Sequence, residues 1–203
     1  MACEGQSGAA RDTVTSVFGK LRGLHRRALP GPAGTGMRDR QVASLVLGHV
    51  AAQRFTSEVL RKPWAKADEV FRARWPSALG ALLHRRFLRA LNDPLRYELA
   101  VGEVTLGPGC DEATVHLSLT ERKRRRVVRL TLRMEQRGGV WGVWDVESQD
   151  VSFVKTWRAR FARVARQHEG LEGLDSELGD LARRLDVPWP PLPPRPAPPD
   201  ATP

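Results

Sequence analysis

Two hydrophobic periods divide the chain. Between Arg11 and Leu29, Val14, Val17, Phe18, Leu21 and Leu24 recur at three-and-four spacing, which predicts an amphipathic helix that Pro30-Gly31-Pro32 and Gly34 to Gly36 then stop. A second helix fits Asp39 to Arg54, with Val42, Leu45, Val46 and Val50 inward, and a third fits Trp75 to Leu91 after the polar turn that follows Trp64. At Asn92-Asp93-Pro94 the period becomes two. Leu95, Tyr97, Leu99 and Val101 alternate with polar neighbours, as do Val115 to Leu119, Val128 to Met134, and Val140, Gly142, Trp144 and Val146. Gly107-Pro108-Gly109 and Gly138-Gly139 punctuate this half, so it reads as about four antiparallel strands in meander order. From Val151 the helical stripe returns through Val154, Trp157, Phe161 and Val164, and a short helix carries Leu171 to Leu185. Helices over one face of a sheet make an α+β fold.

The joint between the last strand and the helix after it is abrupt. In VWGVWDVESQDVSFVKTW, Val140 to Trp157, alternation ends at Glu147 and helical spacing begins at Val151. Little room is left for a loop, and the two elements are expected to form one continuous wall.

At 203 residues and 41% apolar, the chain suits a single domain over 11–186, with a flexible segment 1–10 and a disordered Pro-rich tail 187–203. No uninterrupted apolar run reaches the roughly 18 residues of a membrane span. The net charge of +10 favours an anionic partner without saying which. Cys3 and Cys110 are too few and too distant in sequence to suggest a disulfide framework or a zinc site. The opening MACEGQSGAA has neither the basic nor the apolar region of an export signal, although a trimmed or late-started chain would read the same way. Cys3 is then either an incidental thiol or a lipidated first residue.

Catalytic patterns are sparse. His25, His49, His84, His116 and His168 fall in no metal-ligand spacing, and there is no nucleophile elbow, P-loop or GxGxxG. Asp145, Glu147 and Asp150 could form an acid/base set, but residues so placed more often cap the next helix. The chain reads as a non-enzyme without metal or cofactor. Arg122, Lys123, Arg124, Arg125 and Arg126 form a basic connection between two strands. It fits a solvated turn, a contact for anionic lipid head groups or an acidic partner, or a nucleic-acid contact, the last lacking interleaved aromatics.

The segment GGVWGVWDVESQDVSFVKTWRARFARVARQHEGLEGL resembles the C-terminal signature of the MlaC, or toluene-tolerance, family of periplasmic phospholipid-binding proteins. Gly139, Trp141, Trp144, Asp145, Val146, Val151, Ser152, Arg158, Phe161, Gly170, Gly173 and Leu174 fall in matching places. Phe55 followed by VLRKPW, and the helix ending in RRFLRAL, are similar to the family's upstream pattern. The resemblance spans residues 11–185. Where the family has Glu-Gly before Val-Ser, this chain has Gln149-Asp150, and Thr56 replaces an Asp.

The resemblance implies a helical shell over a twisted antiparallel sheet, enclosing a cavity for acyl chains. It also implies a monomeric periplasmic carrier with phospholipid as cargo, shuttling between an outer-membrane lipoprotein complex and an inner-membrane MCE-domain ABC transporter, without nucleic acid. Burial of acyl chains at roughly 0.8 kcal/mol per methylene requires such a cover. The candidate walls are Leu79, Leu83 and Phe87; Val128, Leu130 and Leu132; Trp144 and Val146; and Val154, Trp157 and Phe161. Ordinary core packing would produce the same stripes. The rival class is an NTF2- or cystatin-like binding module that meets an acidic protein or nucleic acid through its basic turn.

Overall fold

Alternation between Tyr97 and Ser148 folds as a meander. The computed structural model describes residues 3, 5–27, 32–90, 93–167, 170–186 and 189, of which 32–35, 86–90 and 170 are described by backbone alone. The proline-rich tail lies outside the described residues, apart from Trp189. Strands β1 (Tyr97–Leu106), β2 (Glu112–Glu121), β3 (Val127–Arg137), β4 (Val140–Ser148) and β5 (Val151–Ser152) form one antiparallel sheet in sequence order. The architecture is α+β, as the two periods predict, with β5 as an additional strand. Gly138 and Gly139, at φ 56° and 80°, make the two-residue β3–β4 turn that side-chain-bearing residues enter only with strain.

A bulge decides which face β4 presents. Arg133 pairs with Asp145 but the next residue, Met134, pairs with Val143, so Trp144 is the extra residue on β4. Alternation reverses across it. Val143 and Val146 consequently share a face, and Trp144 leaves it.

The helices depart from the predicted boundaries for identifiable reasons. Helix α1 (Gln6–Arg26) begins before Arg11, and Ala10 near its start is fully buried with the sheet residues. The single helix expected over 39–54 is two, α2 (Pro32–Leu47) and α3 (Ala52–Leu60). Between them His49 O accepts the Val143 N–H at 2.8 Å and the Ala51 N–H reaches Val143 O at 2.9 Å, docking the chain in parallel against β4. Gly142 permits this approach, since a Cβ there would lie 3.1 Å from the Ala51 nitrogen. After the short α4 (Lys62–Lys66), α5 (Glu69–Ala90) starts six residues before Trp75, and Pro76 sits inside it. The Asp68 carboxylate accepts the Phe71 N–H at 3.1 Å and caps its N-terminus. A 3-10 turn, Pro94–Arg96, leads into β1.

Helices α6 (Phe153–Gln167) and α7 (Gly170–Arg184) complete a helical cluster with α3 and α5. Its core holds Phe55, Trp75, Leu79, Leu83, Val154, Phe161, Leu174 and Leu178. Trp75 Nε1 donates to Asp175 Oδ1 at 2.9 Å and Arg74 pairs with the other carboxylate oxygen at 3.2 Å, so a buried polar link joins α5 to α7. A second core lies between α1 and the sheet, around Phe18, Val115, Leu132, Met134 and Trp141.

Cys3 and Cys110 form a disulfide, with Cα atoms 5.3 Å apart across a sequence separation of 107 residues. This corrects the expectation drawn from cysteine number and spacing. Sequence distance did not preclude pairing, because α1 packs across the sheet and brings its N-terminus to the β1–β2 turn.

Candidate functional site

The joint between β4 and α6 is built around one carboxylate. Asp145 is buried, with Oδ1 accepting the N–H groups of Val146 at 2.8 Å and Val154 at 2.9 Å, and Oδ2 accepting the Ser152 hydroxyl at 2.6 Å. Ser152 Oγ in turn accepts the Lys155 N–H at 3.0 Å, the bond of an N-cap. These bonds satisfy backbone donors at the start of α6 that no helical carbonyl can reach. Asp145 is therefore a structural cap, the second of the two roles its position suggested. Gln149 and Asp150 turn the chain at φ 52° and 62°, left-handed backbone that glycine adopts without strain.

Above this joint the sheet, α1 and α6 enclose a cavity of about 910 Å³. That volume lies near the top of the roughly 300–1,000 Å³ span of ligand pockets. Helix α1 contributes Thr13, Val14, Val17, Phe18 and Leu21, while the end of α2 and the following segment contribute Val46, His49 and Val50. The floor comprises Tyr97 and Leu99 of β1, Leu117 and Leu119 of β2, Val128, Leu130, Leu132 and Met134 of β3, and Val143 and Val146 of β4. Leu83 reaches in from α5. Ser148, Gln149 and Val151, with Phe153, Thr156, Trp157 and Arg160 of α6, form the remaining side. The surface is overwhelmingly aliphatic and aromatic, suited to a long apolar ligand.

Six of the predicted wall residues line this cavity: Leu83, Val128, Leu130, Leu132, Val146 and Trp157. Four do not. Leu79 of α5 and Val154 and Phe161 of α6 are buried inside the helical cluster, because periodicity marks an apolar face without saying which neighbour it will meet. Trp144 leaves the cavity face at the β4 bulge, packs against the helical cluster, and carries the Arg54 guanidinium 5.2 Å from its ring. The Phe87 side chain lies outside the described residues.

The α1 wall follows from spacing as a helical stripe, but spacing does not place it at the site. Its spacing was visible in Val14, Val17, Phe18 and Leu21; what was not visible is that this helix covers the sheet. Alternation in β1 and β2 likewise predicts a strand face without assigning it to the cavity.

The basic turn Arg122–Arg126 lies outside the cavity. Its backbone is closed by the Arg125 N–H to Glu121 O and the Glu121 N–H to Arg126 O, both 2.8 Å, with Arg125 at φ 57°. Arg122 meets Glu98 at 3.5 Å, and beside the turn Arg96 Nη2 lies 2.5 Å from Glu121 Oε1, a hydrogen bond that raises the Arg96 pKa. Among the described residues, no group of three or more His, Cys, Asp or Glu is placed to hold a metal ion. No helix among them is long and apolar enough to cross a membrane.

The fold is thus α+β, with sheet and helices around an apolar chamber. Comparison identifies the family: the MlaC protein model matches residues 26–180, and the chain belongs to the MlaC family. In structure it is similar to a phospholipid-binding protein from Ralstonia solanacearum, solved in complex with a phospholipid, at a TM-score of 0.65 and 18% identity. The match covers 91% of this chain and 98% of that one. No curated protein sequence matches.

Proposed function

We propose that this protein is a phospholipid carrier, not an enzyme, whose cargo keeps its acyl chains in the chamber between α1, α6 and the sheet. The observation that carries this reading is the chamber itself: about 910 Å³ walled by aliphatic and aromatic side chains from every sheet strand and from four helices or their ends. An apolar space of this size suits chains that cost roughly 0.8 kcal/mol per methylene to expose. Family membership and the phospholipid-bound structural relative support the same conclusion.

The carrier would work in the periplasm, receiving or delivering lipid between an outer-membrane lipoprotein complex and an inner-membrane MCE-domain ABC transporter. The Cys3–Cys110 disulfide supports this location, since such bonds persist in oxidising compartments. Arg122 to Arg126 would meet anionic head groups or an acidic partner surface. A transfer assay tests the proposal: the protein should accelerate movement of a fluorescent phospholipid from donor to acceptor vesicles. Failure to accelerate transfer, with the fold intact, would count against it.

A further inference from the structure

The exposed residues of the chamber lining cluster at one place. Gln149, Val151, Thr156 and Arg160 are the exposed lining residues, and they occupy the β4–β5 turn, β5 and the first turns of α6. Val151 is 61% exposed although it also faces the chamber. This is where the chamber opens, and a lipid whose chains lie inside would leave its head group here.

Building on the carrier reading, we propose that this mouth is a phosphate subsite selective for phospholipids with a net negative head group, with Arg160 as the discriminating contact. The Arg160 guanidinium lies 4.7 Å from the Trp157 ring, and stacking of this kind holds a planar cation in place while leaving its edge donors available. Its acidic neighbour is weakly engaged: Glu177 lies 3.6 Å from Arg160 and is shared with Arg184 at 3.8 Å. Among the described residues, the other carboxylates near the β4–α6 joint are Asp150, exposed in the turn, Glu147, which faces Arg133 at 3.8 Å, and Asp145, buried with its oxygens taken by the Val146 and Val154 N–H groups and the Ser152 hydroxyl.

The basic turn strengthens the field at the same end of the sheet. Leu130 pairs with Ser148 at the mouth, and β3 begins three residues earlier at Val127, so the turn projects about 10 Å beyond. Among the described residues, Lys123, Arg124, Arg125 and Arg126 make no side-chain ion pair. A head group bearing an ammonium would bring a second cation into this surrounding, whereas a phosphodiester on an uncharged alcohol would not. Like charge disfavours the first and opposite charge favours the second.

The test loads the full chain from vesicles containing equal phosphatidylglycerol and phosphatidylcholine with identical acyl chains, then quantifies both lipids retained on the isolated protein. Wild type should favour phosphatidylglycerol about threefold, as expected of a half-exposed ionic contact, and the preference should shrink at high salt. Arg160→Gln should bring the ratio towards one, while Arg166→Gln, a charge-matched change farther along α6, should keep it. Because both lipids come from one sample, a general loss of capacity does not mimic loss of preference. Equal retention by wild type, or an unchanged ratio in Arg160→Gln, would overturn the subsite and leave the carrier reading standing. Retention of neither lipid would defeat the carrier reading itself. Addition of inorganic phosphate should lower the preference if the shared phosphate chemistry is the recognised element; no effect at millimolar concentration would overturn it.

Discussion

Asp145 Oδ1 accepts the Val154 N–H at 2.9 Å, nine residues further along the chain, and its other oxygen holds the Ser152 hydroxyl at 2.6 Å. The last long strand and the helix after it are thereby locked by one buried carboxylate. Removing it leaves buried backbone donors without partners. Asp145→Ala should cost about 3 kcal/mol in denaturant unfolding, and Asp145→Asn less, because an amide oxygen can keep part of the network. A loss below about 0.5 kcal/mol for Asp145→Ala would show that the cap is not what holds the joint.

Leu79 and Leu130 separate the packing core from the chamber. Leu79 is fully buried among helices, so Leu79→Ala should destabilise the fold by about 3 kcal/mol. Leu130 faces the open space, and Leu130→Trp should fill part of it with much less disturbance. Vesicle-derived lipid retained by the folded protein should therefore fall sharply for Leu130→Trp and little for Leu79→Ala. The reverse pattern would mean that the chamber has been assigned to the wrong set of residues.

The Cys3–Cys110 bond closes a loop of more than a hundred residues and fastens α1, one wall of the chamber, to the β1–β2 turn. The double substitution Cys3→Ser with Cys110→Ser should lower stability by about 2–5 kcal/mol, the range for removing a native disulfide, with the chain-entropy relation for so long a loop at the upper end. Thermal unfolding with and without reductant checks this. Reductant should lower the transition of the wild type and leave the double variant unchanged.

His84 adjoins Leu83 on α5, with Nε2 buried and without a hydrogen-bond partner among the described residues, and burial lowers its pKa from the ordinary 6.5. In the window just below 6.5 the unfolded chain binds more protons than the folded one, so stability is intact above that value and falls as the pH drops through it. His84→Leu should flatten this part of the stability profile. Denaturant midpoints at pH 7.5 and 5.5 measure it, and an equal acid loss in variant and wild type would assign the effect to other groups.

Much of this architecture was legible because each period reports a face. The strands from Tyr97 to Ser148 and the stripes of α1 and α6 all follow from spacing. Spacing reports burial without naming the neighbour, which is why Val154 and Phe161 read like Trp157 yet pack among helices. Trp144 was misplaced by a bulge that one extra residue creates and alternation cannot reveal. The break between α2 and α3 comes from backbone docking of His49 and Ala51 on Val143, a tertiary contact with no local pattern beyond Gly48. The Cys3–Cys110 pair depends on the same long-range placement, here of α1 across the sheet.

Native mass spectrometry of detergent-free protein, with extraction and identification of any bound lipid, tests the carrier reading most directly. The predicted result is a phospholipid-sized adduct at defined stoichiometry that is lost on denaturation, either as isolated or after incubation with phospholipid vesicles. A folded protein that carries no such adduct and takes up none from vesicles would contradict it.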